Sequence, residues 1–267
     1  MRIPIYQVDA FTKKTFGGNP AAVCPLKSWL PEKTLQAIAA ENNLSETAFF
    51  VRTNGAFAIR WFTPLVEIDL CGHATLASAH VIFEHLGVKA KEVVFRSRKS
   101  GRLRTLKRGN RLYLDFPVLD AVPAETPVAL VNGLGRKPRE VFKGRDYMAV
   151  FDEEADVAGL EPDFTELVKL DAVGIIATAR GVTADFVSRF FAPQVGVPED
   201  PVTGSSHTQL IPFWAHRLKK RKLHAYQVSK RGGELFCEHH GDRVLIGGQA
   251  VTFMTGEIEL PGVRSEI

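Results

Sequence analysis

Three short stretches of this chain carry side chains suited to acid–base work. Glu46 lies in Asn43-Leu44-Ser45-Glu46-Thr47-Ala48-Phe49-Phe50-Val51, His73 follows Cys71-Gly72, and Asp200 opens Asp200-Pro201-Val202-Thr203-Gly204-Ser205. Asn43 and Glu46 have capping-box spacing, but β-branched and aromatic residues follow in place of a helical pattern. Glu46 is therefore read at the entrance of a strand, on the side of Ala48 and Phe50. Apolar neighbours there would raise a carboxylate pKa toward the range of a general base. A lone glutamate at such a place is more often an exposed strand end, and that ordinary role stays open. Asp-Pro is a good turn opener, so Asp200 is either a turn residue or a second acid that orients substrate. His73 is either a helix-end histidine or a donor to an oxygen-bearing substrate. Ser205 has no nucleophile elbow around it and no evident base, so serine-hydrolase chemistry is disfavoured.

Gly72 and Gly204 each open an apolar run with helical character. A helix N-terminus exposes unpaired N–H groups and the positive end of the dipole, which suits a carboxylate. Either glycine alone is explained by a tight entry turn, with Thr203 as an ordinary cap. Occurrence in both halves favours the functional reading. Cys24, Cys71 and Cys237 are too few and too widely spaced for a disulfide framework. No HExxH or CxxC occurs, and the adjacent His239 and His240 point to opposite faces of a strand, so no metal site is expected.

These residues sit in a chain that repeats itself. Arg60-Trp61-Phe62-Thr63-Pro64 resembles Arg189-Phe190-Phe191-Ala192-Pro193, and Gly72, Ser97, Gly101 and Leu103 fall on Gly204, Ser229, Gly233 and Leu235. Gly17–Val23 matches Gly144–Val150 more loosely. Independent recurrence of strand-turn-strand chemistry is the bland alternative; a duplication is favoured. Strands are expected at 3–9, 21–26, 47–52, 57–63, 92–98, 102–107 and 111–116, with an amphipathic helix at 31–42 that has Pro31 in its first turn. The segment 72–87 is apolar on most of its circumference, which marks a helix buried on nearly all sides. Its counterpart, 204–219, contains Pro212, which should kink or rearrange it. The expected fold class is mixed α/β (α+β): an N-terminal lobe 1–117 and a C-terminal lobe 118–267, each a rolled, mostly antiparallel sheet around its helix. The last residues are left able to return to the first lobe.

Composition narrows the function classes. The chain has 267 residues, 45% hydrophobic and 24% charged, which excludes disorder, collagen and coiled coil. The net charge of +4 is small, and the densest basic stretches, Arg96–Arg111 and Arg217–Lys222, read as solvated faces. No nucleic-acid partner is expected. No stretch approaches the length of a membrane span, and the N-terminus lacks an apolar signal core, so a cytoplasmic protein without membrane contact is expected.

With these residues in place, the chain resembles the PhzF-like family of phenazine-biosynthesis-type isomerases, within the diaminopimelate epimerase-like fold. The matching stretches are Asp9-Ala10-Phe11, Gly17–Val23 (GGNPAAV), Leu44–Phe49 (LSETAF), Cys71–Leu76 (CGHATL) and Glu199–Ser205 (EDPVTGS), in the family's order over most of the chain. The resemblance implies an active site in the cleft between the two lobes, no metal, no organic cofactor and a homodimer. It implies a catalytic glutamate at Glu46, aided by His73 and Asp200, with substrate contacts from Gly18, Asn19, Ser45, Gly72, Thr203, Gly204 and Ser205. Related epimerases and racemases use a cysteine before each central helix. Cys71 holds the first place, but no cysteine stands near Gly204, which disfavours a two-thiol mechanism. The expected function is cofactor-independent isomerisation of a small carboxylate-bearing metabolite, Glu46 removing and returning a proton. The alternatives are a non-catalytic small-anion-binding protein on the same fold and an epimerase dependent on Cys71.

Overall fold

In the computed structural model, which describes residues 1–260, the alternating N-terminal segment forms β1 (Arg2–Ala10). The chain continues through β2 (Asn19–Leu26), α1 (Glu32–Asn42), β3 (Glu46–Thr53), β4 (Ala56–Phe62), β5 (Glu67–Ile68) and α2 (Gly72–His80). β6 (Glu92–Ser97), β7 (Gly101–Arg108) and β8 (Arg111–Pro117) follow. Next come β9 (Val122–Pro123), α3 (Val128–Leu134), β10 (Glu140–Lys143), β11 (Tyr147–Val150), α4 (Glu154–Ala158) and α5 (Phe164–Leu167). The run ends with β12 (Ile175–Arg180), β13 (Phe186–Phe191), α6 (His207–Leu218), β14 (Lys222–Gln227), β15 (Gly233–His240), β16 (Arg243–Gly248) and β17 (Ala250–Glu259). Two compact units result: Met1–Asp115 with 247–260, and Phe116–Ile246. The fold is mixed α+β.

Both units use the same series of strand pairings. In the first, β1–β2 is antiparallel, β2–β3 parallel, β3–β4 antiparallel, β4–β6 parallel and β6–β7 antiparallel. In the second, β10–β11, β11–β12, β12–β13, β13–β14 and β14–β15 repeat that order. Within the first unit, β17 pairs with β1. The repeat extends to buried charge. Arg60, only 4% exposed, grips Glu67 with two nitrogens and also reaches Glu32; Arg189, 9% exposed, grips Glu199 with two nitrogens. The extra residues of the second copy, between Arg189 and Glu199, include a 3-10 turn at Pro193–Val195.

Each unit has helices on both sides of its strands. α1 covers Ile3, Ile5, Ala22, Cys24, Phe49 and Phe62, while α2 packs on β1, β2, β3 and β17. α3, α4 and α5 share a core with β11, β12 and β13, and α6 lies on β14 and β15. α1 enters from Pro31, which takes the cap position and not the first turn, and leaves through Asn43 in the left-handed region, at φ 48°.

The two central helices differ from their expected extents. The segment expected at 72–87 is α-helical to His80 and then π-helical from Val81 to His85, where the Leu86 N–H donates to the Val81 carbonyl. That extra residue per turn lets His80 and His85 both reach the Thr252 hydroxyl, at 2.9 and 2.7 Å. The second helix, expected at 204–219, begins only at His207. Gly204–Ser206 form a turn, because the Ser206 and Thr208 hydroxyls take the Thr203 and Ser205 carbonyls at 2.8 and 2.6 Å and compete with helical pairing. Pro212 does not end α6. It removes the N–H that would bond the Thr208 carbonyl, but the Leu119 N–H fills that place at 3.2 Å. Among the described residues, no helix is long and apolar enough to cross a membrane.

Candidate active site

Strand parity places the carboxylate. Phe49 of β3 packs toward α1, so Glu46, Ala48 and Phe50 face the opposite side, where α2 lies. There the Glu46 Oε2 comes within 3.1 Å of the His73 Nε2, with side-chain exposures of 13% and 5%. The expected apolar wall beside Glu46 is thus, on this side, an imidazole. The two atoms are close but not aligned, and neither makes a hydrogen bond. The other ring nitrogen, Nδ1, lies 3.1 Å from the Asn19 Nδ2 and 3.5 Å from the Cys71 Sγ. Asn19 is fully buried at the start of β2. The preceding Gly18 has φ +62°, and a Cβ there would stand 2.1 Å from the Ala10 carbonyl oxygen. Only glycine fits, and its turn sets Asn19 behind the histidine.

Burial, followed by the charge of Glu46, pushes the Cys71 thiol up to about 11, so it stays protonated near neutral pH. Burial alone would lower the pKa of His73. The Glu46 carboxylate at its Nε2 edge opposes burial and raises it; Cys71 adds negative charge only when its thiol ionises, which it does not near neutral pH. The result is a proton-bearing ring against a carboxylate that keeps one slightly open edge. Such a pair can accept a proton from carbon and pass one back. One donor atom each from Glu46, Cys71 and His73 also lie within 4.8 Å of one another, the spacing of a metal-ligand set.

The remaining expected residues are placed as follows. Ser45 is half-buried just before β3, and Gly72 is the first residue of α2. In the second unit, the Thr203 hydroxyl donates to the Asp200 carboxylate at 2.5 Å, and its N–H donates to the Gln227 Oε1 at 2.8 Å. Gln227 in turn donates to the Asp200 carbonyl at 2.7 Å. Thr203 is thus held by internal partners and makes no side-chain cap for α6. Gly204 is buried in the turn before α6, and the Ser205 hydroxyl accepts from Arg145 at 3.1 Å. Arg145 also pairs with the fully buried Asp146, whose N–H donates to Gln209 at 3.1 Å.

The structure therefore assembles Asn19, Glu46, Cys71 and His73 in the first unit, and Asp200, Thr203 and Ser205 with Gln227, Arg145 and Asp146 in the second. Arg145 and Asp146 were legible in principle. Matching Gly17–Val23 to Gly144–Val150 sets Gly18 opposite Arg145 and Asn19 opposite Asp146. Gln227 carried no such signal, because its contacts depend on β14 lying beside β13.

The chain is similar to known proteins over nearly its whole length. The family model described as phenazine biosynthesis-like protein matches residues 8–256. A Pseudomonas aeruginosa protein named as an uncharacterized isomerase is 50% identical over 260 residues, which is 97% of this chain and 100% of that protein. The crystal structure of a PhzF-family phenazine biosynthesis protein from Enterococcus faecalis superposes with a TM-score of 0.96 at 49% identity, covering 97% of this chain and 100% of its own. A probable proline racemase from Agrobacterium radiobacter shares the fold, with a TM-score of 0.63 at 13% identity over 97% of this chain and 93% of its own. With an acid–base pair on a strand-and-helix frame that matches these relatives nearly end to end, the chain belongs to the PhzC/PhzF family of phenazine biosynthesis-like proteins and is an isomerase.

Proposed function

We propose that this isomerase acts on a small carboxylate-bearing metabolite without metal or organic cofactor, and that Glu46 removes a proton from carbon and returns it. The supporting observation is the close but unaligned approach of Glu46 to His73, with each atom buried and left without a hydrogen bond. This ion pair is not locked by an aligned hydrogen bond, so both groups stay available to a ligand. Here a substrate C–H entering at the Glu46 edge meets the base, while His73 supplies the charge that stabilises the oxyanion formed as the proton leaves. The N–H groups of Gly72 and His73, at the start of α2, suit the substrate carboxylate. Asp200 and Ser205 are assigned to substrate orientation, with Gly204 in the same turn, and Thr203 holds Asp200 in place. Asn19 and Gly18 act from behind, through the His73 ring, and Ser45 sets the entrance to β3.

The two alternatives are less well supported. A non-catalytic anion-binding protein gains nothing from a carboxylate at the mouth of its site, because Glu46 repels the ligand. An epimerase that uses Cys71 as base needs a thiolate, whereas this thiol is pushed up to about 11.

The test is carbon–proton exchange. Wild-type protein incubated in deuterated water with a panel of small unsaturated or α-carbonyl carboxylic acids should place deuterium on carbon of at least one of them. Glu46→Gln should slow that exchange by roughly 100-fold or more while binding persists. Exchange at the wild-type rate in Glu46→Gln would remove Glu46 as the base. Loss of exchange on alkylating Cys71, with Glu46→Gln still active, would favour the thiol mechanism.

A further inference from the structure

We propose that Glu46, Cys71 and His73 form an inhibitory site for a thiophilic divalent cation, of which zinc is the type. The three residues bring a carboxylate oxygen, a thiol sulfur and an imidazole nitrogen within 4.8 Å of one another. They come from three places in one unit: the first residue of β3, the residue before α2 and the first turn of α2. Zinc binds oxygen and nitrogen at about 2.0–2.2 Å and sulfur at about 2.3 Å. Two ligands at those lengths around one ion stand somewhat over about 3 Å apart. The 3.1 Å between the Glu46 Oε2 and the His73 Nε2 is close to that edge.

A second observation points to a ligand. The Glu46 Oε2 and the His73 Nε2 are both buried without a hydrogen-bond partner, in a side chain 5% exposed for His73. One cation ligated by both completes both. The Cys71 sulfur stands 3.5 Å from the other ring nitrogen, Nδ1, so it joins the ion when the thiol and the ring turn toward each other, and the remaining position is left for water. The 13% exposure of the Glu46 side chain is the way in. On binding, the protons on the Cys71 sulfur and on the ligating His73 nitrogen pass to solvent; no electron moves. The inhibitory consequence rests on the proton-transfer reading above, since the ion occupies the carboxylate lone pair that takes the substrate proton. Existence of the site does not depend on it.

Cobalt(II) alone, added to chelator-treated full-length protein, is the probe. One equivalent should bind and give a sulfur-to-cobalt charge-transfer band in the near ultraviolet, which added zinc should abolish. Cys71→Ser should remove the band, and Glu46→Gln should weaken cobalt binding by roughly 10-fold or more; these near-isosteric changes keep the fold, which thermal melts check. His80→Ala, at the other histidine pair, should leave the spectrum unchanged. No band in the wild type, a band that survives Cys71→Ser, or binding that is lost only with His80→Ala would each overturn the proposal. The readout is independent of turnover. Absent cobalt binding alongside normal dependence of exchange on Glu46 removes the metal site alone, and the converse removes the reaction alone.

Discussion

At the start of α2, a buried histidine lies against a carboxylate; in the first turn of α6, a buried histidine lies against a backbone carbonyl and an aromatic ring. His207 Nδ1 donates to the Thr203 carbonyl at 2.8 Å, its ring centre stands 5.8 Å from that of Phe186, and its Nε2 has no partner. Burial pushes its pKa down to about 4, so this ring is neutral. His73 is as deeply buried, yet its neighbours hold it on the opposite side of the ordinary value. Burial at the start of a central helix therefore does not by itself set the charge of a histidine. Glu46 does, and nothing in the second copy replaces it: the corresponding strand, β12, carries Ile175, Ile176 and Ala177 at its start. The duplicated frame is shared, whereas the pairing of a buried histidine with a carboxylate belongs to one copy.

The sharpest break of this comparison is a matched pair of substitutions. His73→Gln should lower turnover by roughly 100-fold or more, the scale of lost acid–base assistance. His207→Gln keeps a donor toward the Thr203 carbonyl and should leave turnover within a few-fold of wild type, as measured by the deuterium exchange above. Equal losses in both variants would show that α6 carries as much chemistry as α2.

Stability against pH separates the same two rings in sign. For His207, the unfolded chain takes a proton below the ordinary value of 6.5, but the folded protein does not until about 4. Stability is therefore lost as pH falls from 6.5 to 4, by roughly 3 kcal/mol from this group. His73 behaves oppositely. Its raised pKa contributes stability fully below 6.5, and that contribution is lost as pH rises through the folded-state value. Urea melts across this range should show a flatter acid limb for His207→Gln, with His80, also pushed down to about 4, supplying the slope that remains. His73→Gln should cost most at acidic pH and less as pH rises. The same sign of pH dependence in both variants would end the distinction.

Much of this was legible before the structure, and what was not has a physical cause. Period-two patterning located the strands, and its parity placed Glu46 on the side of Ala48 and Phe50, because one residue of shift reverses every side chain of a strand. The repeat located both central helices. Patterning could not show that His73 meets Glu46, since that contact joins β3 to α2 through tertiary packing. Apolar neighbours were expected for Glu46 because a strand pattern names the residues on one face, not what lies across from it. The late start of α6 was missed because the Ser206 and Thr208 hydroxyls draw carbonyls away from helical bonding, a local competition that apolar periodicity does not register. The π turn after α2 was invisible for a similar reason: Val81, Ile82 and Phe83 are buried in either geometry.

Gly18 tests whether backbone geometry or side-chain chemistry sets up the first copy. Its match in the second copy is Arg145, so the duplicated frame itself does not need glycine there. The first copy does, because φ is +62° and an added Cβ meets the Ala10 carbonyl oxygen. Gly18→Ala should cost roughly 2 kcal/mol of stability and lower turnover as Asn19 shifts behind His73. Arg145→Gly in the second copy relaxes no such strain and should produce no corresponding gain. Unchanged melting and exchange in Gly18→Ala would mean that the turn re-forms without glycine and that Asn19 needs no such support.

The smallest effect concerns Pro212, the feature that most distinguishes α6 from α2 in sequence. A proline inside a helix ordinarily costs roughly 3 kcal/mol, partly because the carbonyl four residues earlier loses its donor. That carbonyl belongs to Thr208, and the Leu119 N–H already reaches it at 3.2 Å. Pro212→Ala therefore restores a donor to an oxygen that has one, and it adds conformational freedom to the unfolded chain. The net change in urea-melt stability should be below about 1 kcal/mol, a small part of the usual proline cost. Leu119→Pro removes the compensating N–H and leaves the carbonyl orphaned, so it should destabilise the protein, and Pro212→Ala should recover part of that loss. A gain near 3 kcal/mol from Pro212→Ala alone would show that the helix is strained at this residue despite Leu119. Additive effects in the double variant would show that the two residues do not share the Thr208 carbonyl.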